Sequence, residues 1–311
     1  MREARVIVRR FFAVIVASMV LSSGAVARAA DQAETLSDAW WTGPLLAPSA
    51  GTLSRGHVLV EPYVYDVITP AARTHAYGSL TYLIYGVTDR FNVGLIPTFG
   101  YTAMSGASGS ALGLGDLSVM AQYRLLTFHP GSATPGMAVN VEETLPTGRY
   151  DQLGANPNNG VGSGVYATKV SLYMQDYAWL ANGRILRLRF NLSHSFSGAA
   201  NVRGTSVYNT GNGFSGSAYP GNADVVDAAA EYSVTRNWVA ASDVVYSYNG
   251  RTYVNGNSAM TLGNSGSFAF APALEYNWTA NAGIIFGVRI IPKGFDTSSS
   301  LTPVVAINMV R

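Results

Sequence analysis

The sequence contains no cysteine, few charged residues and no long apolar run. Because none of the 311 residues is a cysteine, neither disulfide bonds nor thiolate metal sites can stabilise the chain. Only 12% of the residues are charged. The apolar run of residues 11–21 is short, and no later run approaches the roughly 20 residues of a membrane-spanning helix. The high content of glycine (33) and tyrosine (18) instead favours amphipathic strands joined by turns.

The first thirty residues have the three parts of a secretory signal peptide. Four arginines between residues 2 and 10 form a basic start, the apolar run follows, and Ala27-Arg28-Ala29 matches the small-residue pattern of a cleavage site. We therefore predict that residues 1–30 are a signal peptide, cleaved just before or after Ala30. The alternative, a membrane anchor, would need a longer apolar run.

Removing the signal peptide changes the charge balance of the chain. It leaves 15 basic and 17 acidic residues, so the net charge moves from +2 to about −2. Nucleic-acid binding requires a basic surface that the exported part does not have. We expect no nucleic-acid partner.

Alternation of apolar and polar residues is the main structural signal. Between residues 186 and 193 the even positions are apolar and the odd positions are polar, which places them on opposite faces of a strand. Each such segment covers about ten residues, the length of a tilted membrane strand. Similar segments occur at 91–98, 116–124, 267–277 and 283–290.

A repeated turn motif favours a membrane barrel over a soluble sandwich. Residues 85–91, 232–238 and 276–282 share the order Tyr, any, apolar, Thr, any, Arg or Asn, apolar. Thr with Asp, Asn or Arg can close a short turn, and the aromatic residues suit a membrane interface. We predict that the three turns mark the periplasmic rim. The long loops predicted for the opposite rim are 102–115, 147–162, 197–222 and 249–265.

The expected fold is an all-β, transmembrane, antiparallel up-and-down barrel of about twelve strands. Closure is required because no strand edge can stay unpaired in a bilayer. The strands are predicted to start near residues 57, 77, 91, 116, 136, 163, 184, 223, 238, 266, 282 and 301. Residues 56–311 then form the barrel, and residues 31–55 form an N-terminal periplasmic segment or a plug.

If apolar faces contact lipid, the opposite faces line the lumen. Basic residues fall on the fourth to seventh strands and acidic residues on the eighth to tenth, with a few others elsewhere. Two interpretations remain open: these charges pair with one another inside the barrel, or they contact solutes. The lumen-lining candidates are Glu61, Arg124, Glu142, Lys169, Arg187, Arg189, Asp227, Glu231, Asp243, Glu275 and Arg289.

Residues that could support an enzyme are few. A lipid-facing hydrolase barrel needs Ser and His on the same outward face, but the position two residues after His194 is Phe196. The four histidines are scattered, so we predict no catalytic residue, no metal and no cofactor. Gly113 to Leu117 is interpreted as a turn rather than a phosphate loop, since a strand follows it. Trp40 and Trp41 could bind a ligand or pack at the periplasmic mouth.

Several short segments, taken in order, resemble one known family. They are Thr42 to Ser49 leading into Gly56-His57 and Glu61-Pro62-Tyr63, then Tyr85 to Arg90, Gly113 to Leu117, Leu145 to Gly148 and Gly287 to Arg289. Together they are similar to the transporter-like outer-membrane family labelled "MetA-pathway of phenol degradation". This resemblance implies the handling of aromatic hydrocarbons, and it implies no catalytic residue. One departure is the end of the last strand, which lacks a terminal aromatic residue.

We therefore expect an outer-membrane channel or uptake protein for small solutes, with aromatic or hydrophobic compounds as the class that the resemblance implies. A structural or surface-binding barrel without transport is the alternative, and a lipid-modifying outer-membrane enzyme is the weaker one. Expected partners are outer-membrane lipids, the barrel-assembly machinery and a small-molecule solute.

Overall fold

The computed structural model of the chain describes residues 34–105 and 109–311. The signal peptide predicted for residues 1–30 lies outside this part. Among the described residues, no helix is long and apolar enough to cross a membrane. The helical segments described are two short 3-10 turns, Pro70–Ala72 and Pro157–Asn159.

The described chain consists mainly of antiparallel strands. They are β1 (Val58–Thr69), β2 (Thr74–Thr88), β3 (Phe91–Ile96), β4 (Thr98–Met104), β5 (Gly113–Leu114), β6 (Leu117–Leu126), β7 (Gly136–Leu145), β8 (Ala167–Trp179), β9 (Ile185–Ser197), β10 (Ala200–Arg203), β11 (Ser215–Tyr219), β12 (Ala223–Ser233), β13 (Trp238–Asn249), β14 (Thr252–Gly256), β15 (Met260–Leu262), β16 (Ser265–Thr279), β17 (Ala282–Ile291) and β18 (Ser300–Val310).

The long strands close into one barrel. Each pairs with its neighbours in the order β1, β18, β17, β16, β13, β12, β9, β8, β7, β6, β3, β2, and β2 returns to β1. Strand β4 continues β3 beyond Pro97, which cannot donate a ladder hydrogen bond. The ring therefore has twelve strands, as predicted. The predicted starting points differ from the observed ones by at most four residues.

The two faces of the barrel wall differ as the alternation predicts. On β16, Phe268, Phe270 and Leu274 are exposed on the outside of the barrel. Ala271 and Glu275, at odd-numbered positions of the same strand, are fully buried on the inside. Exposed apolar side chains recur around the ring, which is the outer surface expected of a barrel in a lipid bilayer.

The three repeated turns lie on one rim, together with the C-terminus. In each turn the threonine hydroxyl accepts a hydrogen bond from the N–H two residues later: Thr88 from Arg90 at 3.2 Å, Thr235 from Asn237 at 3.3 Å and Thr279 from Asn281 at 3.2 Å. This local bond explains why threonine occupies the fourth position of the motif. Outer-membrane barrels carry their shorter connections on the periplasmic side. We call this the short-turn rim.

The opposite rim carries longer segments, and two of them are not simple loops. Within 197–222 and 249–265, strands β10, β11, β14 and β15 form a separate four-stranded sheet. Val202, Ala218 and Val254 are completely buried in its core, with Phe214 beside them. The sequence predicted long connections here but not this sheet, because short strands with many Gly, Ser and Asn residues lack a strong alternation.

Asp116 holds another long-rim segment against the barrel. Its carboxylate accepts hydrogen bonds from the Gly148 N–H at 2.9 Å and from the N–H and hydroxyl of Ser163, each at 2.7 Å. Tyr208 in turn donates to the Ser163 carbonyl, and burial raises the pKa of Tyr208 to about 12, so its hydroxyl remains a donor. The segments 113–117 and 145–148, noted in the sequence separately, thus meet at one carboxylate.

Candidate functional site

Residues 34–55 run inside the barrel, and we call them the N-terminal arch. The arch starts at the short-turn rim, where Glu34 N–H donates to the Gly183 carbonyl at 2.9 Å. It returns to that rim on another side, where Arg55 N–H donates to Asp89 Oδ1 at 2.9 Å. Between these points its backbone contacts inward-facing side chains of several strands. The interior is therefore shaped by the arch as well as by the strands.

Two acidic side chains of the wall hold the first half of the arch. Glu275 Oε2 accepts from the N–H groups of Thr42 and Gly43, at 2.7 and 3.1 Å. Asp243 accepts from three successive N–H groups, those of Leu45 to Ala47, at 2.9 to 3.3 Å. Backbone N–H groups inside a barrel need acceptors. These two carboxylates supply them at positions where the strand ladders cannot.

A cluster of three charges lies directly beside these contacts. Glu231 is fully buried and paired across the β9–β12 ladder with Arg187, which donates to it from Nε at 2.6 Å and also from a terminal nitrogen. Arg189 Nε lies 3.2 Å from the same carboxylate, and Arg189 donates to the Ala47 carbonyl of the arch at 2.6 Å. The cluster links the wall to the arch.

Gly43 allows the arch to pass this cluster. Its φ of +133° is rare for residues with a side chain. A Cβ at this position would lie 3.4 Å from a terminal nitrogen of Arg189. Both the backbone conformation and the nearby Arg189 side chain therefore favour glycine at position 43.

The two tryptophans pack at the short-turn rim. The Arg236 guanidinium lies 4.6 Å from the Trp40 ring centroid, and the Arg187 guanidinium lies 4.6 Å from that of Trp41. Of the two sequence interpretations, the structure supports packing at the periplasmic mouth. Near the same rim, the Thr35 hydroxyl and N–H donate to Asp38 and lower the pKa of its carboxyl below the usual value.

Neutral polar side chains hold the second half of the arch. Asn191 donates to the Pro48 carbonyl at 3.0 Å. Gln122 donates to the carbonyls of Ser49 and Gly51, at 3.0 and 2.8 Å. Asn92 accepts from the Leu53 N–H at 3.2 Å. These residues were not among the sequence candidates, although their inward parity and buried amides would have identified them.

The structure places all eleven sequence candidates on the inward-facing parity of their strands. Five of them form the group beside the arch: Arg187, Arg189, Glu231, Asp243 and Glu275. Lys169 Nζ lies 2.6 Å from Glu142 Oε2 on adjacent strands. Glu61 accepts from Asn308 at 3.1 Å, and Arg124 donates to the Asp89 carbonyl at 2.7 Å.

Asp227 and Arg289 are the two remaining candidates. Asp227 is buried on β12 and no hydrogen bond to its Oδ1 is formed by the described residues. Arg289 Nε on β17 likewise donates no hydrogen bond to the described residues. The basic and acidic arcs expected in the lumen therefore pair at β9–β12 through Arg187, Arg189 and Glu231.

The outward histidines carry carboxylate partners. His194 Nδ1 lies 2.7 Å from Asp224 on β12, and His75 Nδ1 lies 2.8 Å from Asp66 on β1. Next to His194 on the same face stands Phe196, with ring centroids 4.4 Å apart, where a hydrolase would need its serine. In residues 34–105 and 109–311, no group of three or more His, Asp and Glu side chains is arranged to hold a metal ion.

Comparisons with known proteins support the barrel fold. No family model matches the sequence, and no curated protein matches it. Among solved structures, the COG4313 outer membrane channel from Pseudomonas putida F1 is similar over 84% of this chain and 98% of that chain, with a TM-score of 0.67 and 13% identity. At this level of identity, the similarity shows the fold, that of an outer-membrane β-barrel.

Other outer-membrane barrels are more distant in shape. The KdgM porin in complex with disordered oligogalacturonate has a TM-score of 0.43 and 11% identity, over 81% of this chain and 98% of that chain. LpxR from Salmonella typhimurium has a TM-score of 0.42 and 8% identity, over 80% of this chain and 99% of that chain. At these TM-scores neither similarity carries an argument about this chain.

Proposed function

We propose that the chain is an outer-membrane channel for the uptake of small apolar or aromatic molecules, with the N-terminal arch as an internal plug. The observation that carries this proposal is the way the arch is held. It is bound through separate side-chain hydrogen bonds to Glu275, Asp243, Arg189 and Gln122, not through a strand ladder. Such bonds contribute about 1 to 3 kcal/mol each, so segments of the arch can be released singly.

The similar fold supports the same proposal. The COG4313 structure, which is similar to this chain over 98% of its length, is described as an outer membrane channel. Thr42 to Ser49, one of the sequence segments that resemble the phenol-degradation family, lies within the arch at the contacts with Glu275 and Asp243. A segment held at this place inside the barrel suits control of passage.

The substrate class follows from the interior beyond the charged cluster. Tyr63 and Tyr82 face each other inside the barrel with ring centroids 5.9 Å apart, and Tyr173 is 5% exposed on the same inner surface. Tyrosine presents a large apolar ring with one polar end. This lining suits a small aromatic molecule better than a strongly charged one.

The test measures uptake of N-phenyl-1-naphthylamine, a fluorescent apolar aromatic amine, by cells that carry the protein in their outer membrane. We expect faster uptake than in cells without it, while ion conductance in planar bilayers stays small because the arch occupies the interior. An unrelated barrel expressed at the same level is the control. Equal uptake in all three strains would contradict the proposal.

A second candidate, a surface-binding barrel, is favoured by the separate sheet β10-β11-β14-β15. Its outer face carries the cross-strand neighbours Tyr219 and Tyr253, which are 46% and 49% exposed. A double Tyr219→Ser, Tyr253→Ser variant should leave dye uptake unchanged if transport is the function. The second candidate would be favoured if cells with the double variant lost attachment to a surface while dye uptake was the same with the wild type, with the variant and without the protein.

A further inference from the structure

The ladder between β1 and β18 is interrupted at two places. Strand β1 pairs with β2 at twelve successive positions but with β18 at only six. The unpaired stretches contain Pro62 on β1 and Pro303 on β18. Proline has no N–H to donate to the ladder. The seam that closes the barrel therefore has two gaps.

An apolar groove lies on the outside of this seam. It has a volume of about 500 Å³ and lies beside Pro303, with Val64, Tyr77 and Phe286 among its lining side chains. Val64 is 62% exposed and Tyr77 is 47% exposed, on the face that contacts lipid. An apolar cavity of about 150 Å³ is enough to hold benzene. The groove has room for a molecule of one or two aromatic rings.

The inner side of the same seam is also apolar. Leu45 of the arch, Ile285, Val304 and Ala306 form a buried cluster inside the barrel, and Tyr65 packs against it. Elsewhere on the inner wall, at β9 and β12, this depth is occupied by arginine and glutamate. At β1–β18, two carboxylates lie near the path. Glu61 faces the lumen in the first gap and accepts from Asn308, and Asp66 lies beside His75 at the edge of the groove.

Two side chains belong to both surfaces. Tyr65 and Val304 line the outer groove and also contact the inner cluster. They are cross-strand partners in the short paired stretch between the two gaps. The Tyr65 ring lies over Gly78, where a Cβ would be 2.3 Å from ring atoms. The barrier between groove and lumen at this point is therefore one aromatic ring and one valine.

We propose that the β1–β18 seam is a lateral port through which small apolar or aromatic molecules pass between the lumen and the lipid bilayer. The port rests on the proposed transport function and names its route. Movement of the Tyr65 ring away from Val304, at a place where the ladder has few hydrogen bonds, opens the path. The arch takes part through Leu45, which contacts the inner cluster.

The port is tested by locking the seam with a disulfide. Val64 and Val305 are direct cross-strand partners, a separation suited to a disulfide, and the chain has no cysteine that could interfere. In the Val64→Cys, Val305→Cys variant we expect oxidation to abolish most of the protein-dependent uptake of N-phenyl-1-naphthylamine. Reduction should restore it, and ion conductance in planar bilayers should not change.

The matched control locks a complete seam. Ala228 and Val244 are cross-strand partners in the β12–β13 ladder, which is paired at eleven successive positions. Oxidation of the Ala228→Cys, Val244→Cys variant should leave uptake unchanged. Folding of each variant is checked by the heat-dependent mobility of the barrel in gel electrophoresis.

A second variant keeps the test independent of the disulfide. Tyr65→Ala removes the ring shared by the two surfaces and should increase uptake of the dye, whereas Tyr246→Ala, beside Phe268 on β13 and away from the seam, should not. If uptake stays at the wild-type rate both in the oxidised Val64→Cys, Val305→Cys variant and in Tyr65→Ala, the port is overturned but the channel is not. Absence of protein-dependent uptake in the wild type would overturn both.

Discussion

Two parts of the barrel wall differ in how they are closed. The wall formed by β9, β12 and β13 has uninterrupted ladders and carries Arg187, Arg189, Glu231 and Asp243 on its inner face. The β1–β18 seam has gaps at two prolines and small apolar residues inside. The first region, which we call the anchoring wall, holds the arch. The second contacts the arch through the apolar cluster that contains Leu45 and against which Leu46 packs.

The difference shows how one ring can combine a fixed and a movable part. Buried charges are costly unless they are paired and hydrogen-bonded, so the anchoring wall tolerates little displacement. Apolar contacts have no strict geometry, so the stretch of the seam at Tyr65 and Val304 can change without leaving a charge unpaired. Four substitutions would test this contrast.

Glu231→Gln should have the largest effect. It leaves two buried arginines without their shared carboxylate, and breaking such a pair costs about 3 kcal/mol or more. We expect a clear loss in the free energy of unfolding, measured by urea titration of the folded barrel in lipid vesicles. Glu142→Gln is the matched control, because Lys169 remains 35% exposed and can be solvated. Equal losses for the two variants would contradict the special role of the anchoring wall.

If dye uptake by folded Glu231→Gln stays at the wild-type rate, the carboxylate acts in pairing and not in solute contact. A change in uptake without loss of stability would favour the solute-contact interpretation.

Asp243→Asn should loosen the arch with a smaller cost to the barrel. The amide oxygen replaces only one of two carboxylate acceptors for the N–H groups of residues 45–47. We expect higher ion conductance in planar bilayers and a loss of about 1 to 3 kcal/mol. Asp227→Asn is the control, since Asp227 is buried on the adjacent strand without an arch contact in the described structure. Higher conductance in both variants would mean that any change of lumen charge is sufficient.

The sequence predicted the wall well because strand parity is a local property. The period of two placed all eleven candidates on the inward face, and the threonine turns identified the rim. Parity cannot show which charges meet, because that depends on register between strands distant in the chain. The pairing of Arg187 with Glu231 and the three N–H groups bound by Asp243 needed the structure. The same is true of Asp116, whose partners lie in a segment with no periodicity.

The seam was harder to predict for a related reason. Pro62 and Pro303 are visible in the sequence, but only the closed ring places them at the same pair of strands. Similarly, Gly78 has no distinctive neighbours in the chain, and its role depends on the Tyr65 ring across the ladder.

Gly78→Ala should disturb the seam without touching the anchoring wall. The added Cβ would lie 2.3 Å from Tyr65 ring atoms, so the ring must move, at an overpacking cost of about 1 to 3 kcal/mol. We expect lower thermal stability and faster dye uptake. Gly100→Ala is the control: Gly100 is the cross-strand neighbour of Gly78, and its Cβ would lie 3.3 Å from Val161. Unchanged uptake in Gly78→Ala would indicate that the ring position does not limit passage.

Pro303→Val should give the smallest change, and it acts in the opposite direction. Valine restores an N–H on β18 at one gap, and a new ladder hydrogen bond would stabilise the barrel by about 1 kcal/mol at most. If the gap serves the port, uptake of the dye should fall although the barrel becomes more stable. Pro97→Val is the matched control, because Pro97 separates β3 from β4 along the ladder to β2 and lies outside the groove lining. A fall in uptake for Pro97→Val as well would attribute the effect to general stiffening. A fall confined to Pro303→Val would place the limiting step at the β1–β18 seam, where a gap adjoins both the groove and the inner apolar cluster.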